Sequence, residues 1–212
     1  MPIQRGVDKW KLKKWFTIIA PKLFNEVEVT EMPANDDKAV LGRNVVVGLE
    51  VLTGNPAHAY TNVTLKVVGV NGNRVMTELI KTEVIGSYIR SFIRRNKSIA
   101  HAILPVTTKD NKEAVVKLIA ITKIKTTSSK IKSLRKAMSD FTINYFKENS
   151  LDSAIQSIIS GQFQSELGAK VNNIVDLSKL EVRKLELKSI SNTSNKKEEE
   201  KSTNEVKAEV TK

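Results

Sequence analysis

Between Asn44 and Lys125 the apolar residues fall mostly at the alternating spacing of half-buried strands. Val45, Val46 and Val47 lead toward a turn at Thr53-Gly54-Asn55-Pro56, and Val63, Leu65, Val67 and Val70 mark the next strand. Asn71-Gly72 predicts a two-residue hairpin loop of primed type, with positive φ at both residues, and Val75 to Ile80 is its returning strand. Ile99–Val106 and Val115–Ile124 supply two more strands around the turn-like Thr108-Lys109-Asp110-Asn111. Five or so short strands with tight turns point to a barrel or a strongly curved sheet, because closure removes exposed edges.

A change of period marks the helices. Ile85, Ile89, Phe92 and Ile93 recur at three- and four-residue spacing, which predicts a helix over Gly86–Asn96 with Arg90, Arg94 and Arg95 off its apolar stripe. A second begins near Ser129, with Ile131, Leu134, Met138, Phe141 and Tyr145 as its stripe. Ser150 is a favourable N-cap for a third, and Gly161 is its natural stop. A short helix over Gln162–Asn173 follows. Leu180 and Val182, then Leu185 and Leu187, alternate with charges but change phase midway, as an edge strand with a bulge would. The expected class is α+β: a β-barrel-like body with an inserted basic helix and C-terminal helices. Residues 1–20 read as a basic aromatic arm joining the body around Ile18. Residues 21–190 read as one globular domain, with the barrel over 21–126 and the helical part and edge strand over 127–190. Residues 189–212 are rich in Ser, Asn, Lys and Glu and are expected to be disordered.

Charge then narrows the partners. The 212 residues carry a net charge of +12, and the excess lies in residues 1–136, while 137–212 are close to neutral. A folded region this basic suits a polyanion. Cysteine is absent, which excludes disulfides, cysteine-bound zinc and thiol catalysis. No apolar run reaches the roughly 20 residues needed to span a bilayer, so a cytoplasmic location is expected. Membrane-surface binding fits the charge but lacks an amphipathic basic helix with a bulky apolar face.

Enzymatic signatures are sparse. His58 and His101 are each solitary, without Cys or paired acids at ligand spacing, and read as satisfied or surface histidines. Neither a phosphate-binding Gly-rich loop nor a Gly-x-Ser-x-Gly elbow occurs. No catalytic residue, metal site or cofactor is expected.

Binding signatures are stronger and form three clusters. The arm interleaves Lys9, Lys11, Lys13 and Lys14 with Trp10 and Trp15; lysines release counterions from phosphate, and indole faces stack on unpaired bases. Trp15, beside Ile18 and Ile19, also reads as a core residue, and both readings stay open. The second cluster is Arg90, Arg94 and Arg95, with Lys97 just beyond; if helical, Arg90 and Arg94 would stack on one side, a repulsion that a polyanion reverses. Its alternative is pairing with Glu78, Glu83 or another carboxylate. The third runs from Lys123 and Lys125 through Lys130, Lys132, Arg135 and Lys136, with hydroxyls Thr126 to Ser129 at a helix start. Lys109 adds a charge in the Thr108–Asn111 turn. A solvated basic surface is the plain alternative for the third cluster.

Several segments carry a resemblance. Asp8-Lys9-Trp10-Lys11, Lys13-Lys14-Trp15 and Ile19-Ala20-Pro21-Lys22-Leu23-Phe24 are followed in order by Leu52-Thr53-Gly54, Tyr88-Ile89-Arg90-Ser91 and Ile93-Arg94-Arg95. Val106-Thr107-Thr108-Lys109-Asp110 and Arg135-Lys136-Ala137-Met138 complete the set. Over about residues 7–190 the chain resembles the S-three-A-e family of archaeal and eukaryotic small-subunit ribosomal proteins, and its length looks archaeal. The resemblance implies a non-enzymatic structural component bound to small-subunit rRNA on the platform, near the rRNA 3′ end and the mRNA exit. It implies neighbouring ribosomal proteins, rRNA and nearby mRNA as partners, with no membrane and no small-molecule substrate. The three basic segments correspond by position to RNA contacts. Asn111 stands where glycine is expected, and asparagine tolerates the positive φ of such a turn. A free-standing RNA-binding or chaperone protein is the competing reading.

Overall fold

The chain alternates short β-branched runs with turn residues before its long helical stretch, and the computed structural model follows that order; it describes residues 10 and 13–188. Strands β1 (Lys14–Ile19), β2 (Glu28–Ala34), β3 (Asn44–Gly48), β4 (Thr61–Asn71) and β5 (Arg74–Val84) make the first part, with short helices α1 (Asp37–Val40) and α2 (Leu49–Thr53) between them. Helix α3 (Gly86–Phe92) leads to the hairpin β6 (Ile99–Thr107) and β7 (Glu113–Thr122). Helices α4 (Ser128–Glu148), α5 (Leu151–Ser160) and α6 (Gln162–Asn172) precede the last strand, β8 (Leu177–Leu187).

All eight strands join one mixed sheet, and it forks at β5. One side of β5 pairs with β4 along its length. Its other side is shared: Arg74–Met76 pair in parallel with β1, and Lys81–Glu83 pair antiparallel with β8. That sharing keeps the sheet open, so the expected barrel closure is corrected. β2, β3 and β6 each have a single partner among the described residues. Pro33 on β2 and Pro105 on β6 interrupt the donors of two of these edges, which limits pairing with other chains.

The last strand is corrected as well. β8 lies between β5 and β7, so it is an interior strand. The phase change seen in its sequence is real: the register with β7 shifts between Lys117 and Leu118, leaving Arg183 as a bulge residue. Lys14–Ile19, within the expected arm, form strand β1, which pairs with β2 and β5. Lys9, Lys11 and the expected tail disorder lie outside the described residues.

Two cores sit on opposite faces of the β8-β7-β6 sheet. On one, Ala100, Ala102, Val116, Leu118 and Ala120 pack against Leu134, Met138, Phe146, Ile155, Phe163 and Leu167 of α4 to α6. Small alanines on the strands let the helices approach closely. On the other face, Ile119 and Ile121 are covered by Ile89 with Tyr88 and Phe92, so α3 packs opposite the long helices. Ion pairs lie beside it: Lys81 pairs with Glu83, while Lys117 and Lys184 both reach Glu186.

Capping follows the sequence in α5. Ser150 Oγ accepts from the Ser153 N–H at 3.4 Å, Asp110 Oδ2 accepts from the Leu151 N–H at 3.0 Å, and Gly161 closes the helix at φ 83°. Ser150→Ala is expected to lower stability by about 1 kcal/mol in urea unfolding, because a first-turn N–H loses its acceptor. The hairpin β4–β5 is displaced by one residue from the expectation. Its loop is Gly72-Asn73, and of the two only Gly72 has positive φ, at 62°. Asn111 takes positive φ, 55°, as its turn requires.

Candidate nucleic-acid interface

The second and third basic clusters become one strip because two loops are bonded together. Thr122, fully buried at the end of β7, accepts from the Ser98 N–H at 2.9 Å and donates to the Ile124 carbonyl at 2.7 Å. Ser98 Oγ in turn accepts from the Thr126 N–H at 3.0 Å. The α3–β6 loop, with Arg94, Arg95 and Lys97, is thereby held beside the β7–α4 loop, with Lys123 and Lys125. The α6–β8 turn and the start of β8 join them: Lys97 Nζ donates to Ser178 Oγ at 2.9 Å, and the Lys123 N–H donates to the Asp176 carbonyl at 3.0 Å. Sequence periodicity could not reveal Ser98 and Thr122, since their meeting depends on the β6–β7 register.

Helix α3 ends at Phe92, with Ile93 extended, so Arg94 and Arg95 lie in the following loop and not on the helix with Arg90. The expected helical stacking of Arg90 on Arg94 is therefore corrected. The reason is local: β-branched Ile93 leaves the helix, and Asn96 takes positive φ, 62°, to turn the chain into β6. The alternative pairing of these arginines with Glu78 or Glu83 does not occur; Glu83 is held by Lys81 at 2.5 Å. That hydrogen bond keeps the Glu83 carboxyl below its ordinary range.

Beyond the loops, α4 extends the strip. Lys130, Lys132, Arg135 and Lys136 are exposed, while Leu134 and Met138 point into the core. Thr127 makes no side-chain cap, and the first turn of α4 holds no acidic residue. A cleft of about 480 Å³ lies between this start and the α6–β8 turn, lined by Lys125, Thr126, Thr127, Lys130, Asn172 and Asn173. Arg90, Arg94, Arg95, Lys123, Lys125, Lys130, Lys132, Arg135 and Lys136 join none of the ion pairs found among the described residues.

The arm residues do not join this strip through any described contact. On β1, Phe16 and Ile18 enter the core while Trp15 is 53% exposed, which overturns the core reading for Trp15. Trp10 is 57% exposed and meets Trp15 edge to face, with centroids 6.4 Å apart. Lys13 Nζ sits 4.1 Å from the Trp10 ring centre, and Lys14 is exposed. Lys109 is also separate: it occupies the turn at the opposite end of the β6–β7 hairpin, roughly 30 Å from Lys123 at strand rise. The segment from Asn25 to Asp37, which includes β2, carries Glu26, Glu28, Glu31, Asp36 and Asp37 and no Lys or Arg, so this edge repels phosphate.

Positive potential reaches the sheet face beside the strip. Partial burial, and then the charges of Arg183 and Arg135, hold the His101 imidazole below its ordinary value of 6.5. Folding therefore loses a small part of its stability as pH falls below 6.5, where the unfolded chain binds the proton more readily. An NMR titration is expected to place His101 below free histidine, and Arg183→Gln to raise it.

The sequence model of the Ribosomal S3Ae family matches residues 3–190. The chain belongs to this family. Among its relatives, the small ribosomal subunit protein eS1 of Sulfurisphaera tokodaii is 38% identical over 180 residues, covering 85% of this chain and 93% of the relative. The protein of the same name from Saccharolobus solfataricus is 34% identical over 177 residues, covering 84% of this chain and 85% of the relative. The match to the S3Ae family spans all three basic clusters, both loops of the strip and the whole sheet.

Proposed function

We propose that this S3Ae-family chain is a non-enzymatic structural component of the small ribosomal subunit, and that it binds small-subunit rRNA through the strip of Arg90, Arg94, Arg95, Lys97, Lys123, Lys125, Lys130, Lys132, Arg135 and Lys136. The observation that carries the RNA reading is the convergence of the two loops around Ser98 and Thr122, which gathers cations that no carboxylate among the described residues pairs with. Like charges held this close need a counter-charge, and phosphate supplies it with release of condensed ions. Lys13, Lys14, Trp10 and Trp15 form a second contact, joined by Lys9 and Lys11, in which the exposed Trp15 ring suits stacking with an unpaired base. Lys109 is a separate, single contact. Residues 1–13 serve as the arm, and the sheet with its helices is one RNA-binding domain.

Its partners are rRNA and neighbouring ribosomal proteins, its location is the ribosome in the cytoplasm, and its place is the platform near the rRNA 3′ end and the mRNA exit. No described helix is long and apolar enough to cross a membrane. Sedimentation of native lysate tests this: co-migration with small subunits through a moderate salt wash is the expected result. A large pool at the top of the gradient would instead establish a free RNA-binding protein.

A further inference from the structure

A second cleft, of about 410 Å³, opens where the C-terminal end of β5, the start of α3, the α5–α6 corner and β8 meet. It is far larger than the roughly 30 Å³ share of one water molecule. Its walls include Tyr60, Glu83, Tyr88, Gln164, Lys179 and Glu181.

Two features suit a flat ligand that donates hydrogen bonds. The first is an orphan acceptor. Gln164 Nε2 donates to the Ile158 carbonyl at 3.0 Å, which orients the amide, and its Oε1 is the one buried side-chain polar atom without a partner among the described residues. Such an atom calls for a donor, and none of the described residues supplies one. The second is an aromatic wall. Tyr60 stacks on Tyr88 with centroids 4.5 Å apart and planes 17° apart, and Tyr60 stays 52% exposed.

The charges select base over backbone. The lining carries Glu83, Lys179 and Glu181, with Lys179 on Glu181 at 3.0 Å and Lys81 behind Glu83, so the cleft has no excess positive charge for phosphate and two carboxylates that accept from N–H groups. Tyr88 lies on α3, the helix that also carries Arg90 and runs into Arg94 and Arg95. RNA held at Arg90 therefore touches the helix that forms one wall of the cleft.

We propose that this cleft receives one unpaired nucleobase bearing amino or imino donors, guanine best of all, extruded from the RNA held by Arg90, Arg94 and Arg95. The proposal rests on the RNA-binding reading above. Guanine presents N1–H and N2–H together, which matches a carboxylate or an amide oxygen, while uracil presents a single imino donor.

The test titrates the full chain with labelled UUGUU and UUUUU ribo-oligomers at fixed salt and follows the Gln164 side-chain amide by NMR. Wild type is expected to bind UUGUU about tenfold tighter, the size of one stacked and bonded base. Binding is expected to shift the Gln164 amide. Gln164→Leu and Tyr60→Ala, each checked for an intact fold, are expected to erase the preference and keep UUUUU binding. Equal binding of the two oligomers by wild type would overturn the cleft assignment and leave the basic strip standing; binding of neither would overturn both. A preference that survives both substitutions also overturns it. So does a Gly-Arg-Gly peptide that moves the Gln164 amide when UUGUU does not, which would assign the cleft to a protein partner's arginine.

Discussion

Replacing Phe163 with alanine is expected to lower the unfolding free energy by about 3–5 kcal/mol, the cost of deleting a large buried aromatic ring. Phe163 is fully buried at the start of α6 and touches three other rings: Tyr145 at 5.0 Å, Phe141 at 5.8 Å and Phe146 at 6.2 Å between centroids. Its loss opens a cavity where α4, α6 and the sheet meet, and it removes edge-to-face contacts worth roughly 0.5–1.5 kcal/mol each. Against a total of about 5–15 kcal/mol for a typical domain, this is a large share. Urea unfolding checks it: the midpoint falls while the slope stays constant. Phe141, partly exposed on the same cluster, is the comparison, and Phe141→Ala is expected to cost less. Equal losses at the two positions would show that the full burial of Phe163 does not set the cost.

The second large effect is electrostatic. Arg90, Arg94 and Arg95 changed together to Gln are expected to flatten the dependence of log affinity on log salt by about 2–3, since each lost phosphate contact removes roughly 0.7–0.9. The fold is expected to survive, because none of the three pairs with a carboxylate among the described residues. A thermal melt matching wild type would document that. The control is Lys117→Gln with Lys184→Gln, whose ammonium groups are already engaged by Glu186. That pair is expected to leave the salt slope unchanged. A slope that falls equally in both variants would mean the RNA responds to net charge alone, and the strip would lose its claim.

Helices α4, α5 and α6 were legible in the sequence because each buries one stripe, and because Ser150 and Gly161 punctuate them by local chemistry. The pairing of β6 with β7 was legible for the same reason: its turn carries its own signal at Asn111. What local signals do not encode is which edge a distant strand occupies. Leu177–Leu187 looks like an edge strand because charges alternate along it, yet those charges face partners on β5 and β7, not solvent alone. Openness of the sheet was hidden in the same way, since it depends on β5 dividing one side between β1 and β8. In the site, residue types were readable but grouping was not. Trp15 read as core by its neighbours, although strand alternation gave the buried positions to Phe16 and Ile18. The joining of the Arg94–Lys97 and Lys123–Thr126 loops needed Ser98 to meet Thr122, a contact 24 residues apart.

The interior place of β8 also fixes when the sheet can be finished. Chains emerge from their N-terminus at about 5–20 residues per second. Some hundred residues separate Val84 at the end of β5 from Glu186 on β8, a delay on the order of 5–20 s. Throughout that interval the C-terminal half of β5 lacks its β8 partner, and from the time β7 is complete one whole side of it does too, the condition under which sheets capture foreign strands. Birth, rather than the mature fold, is therefore the most vulnerable moment of this protein.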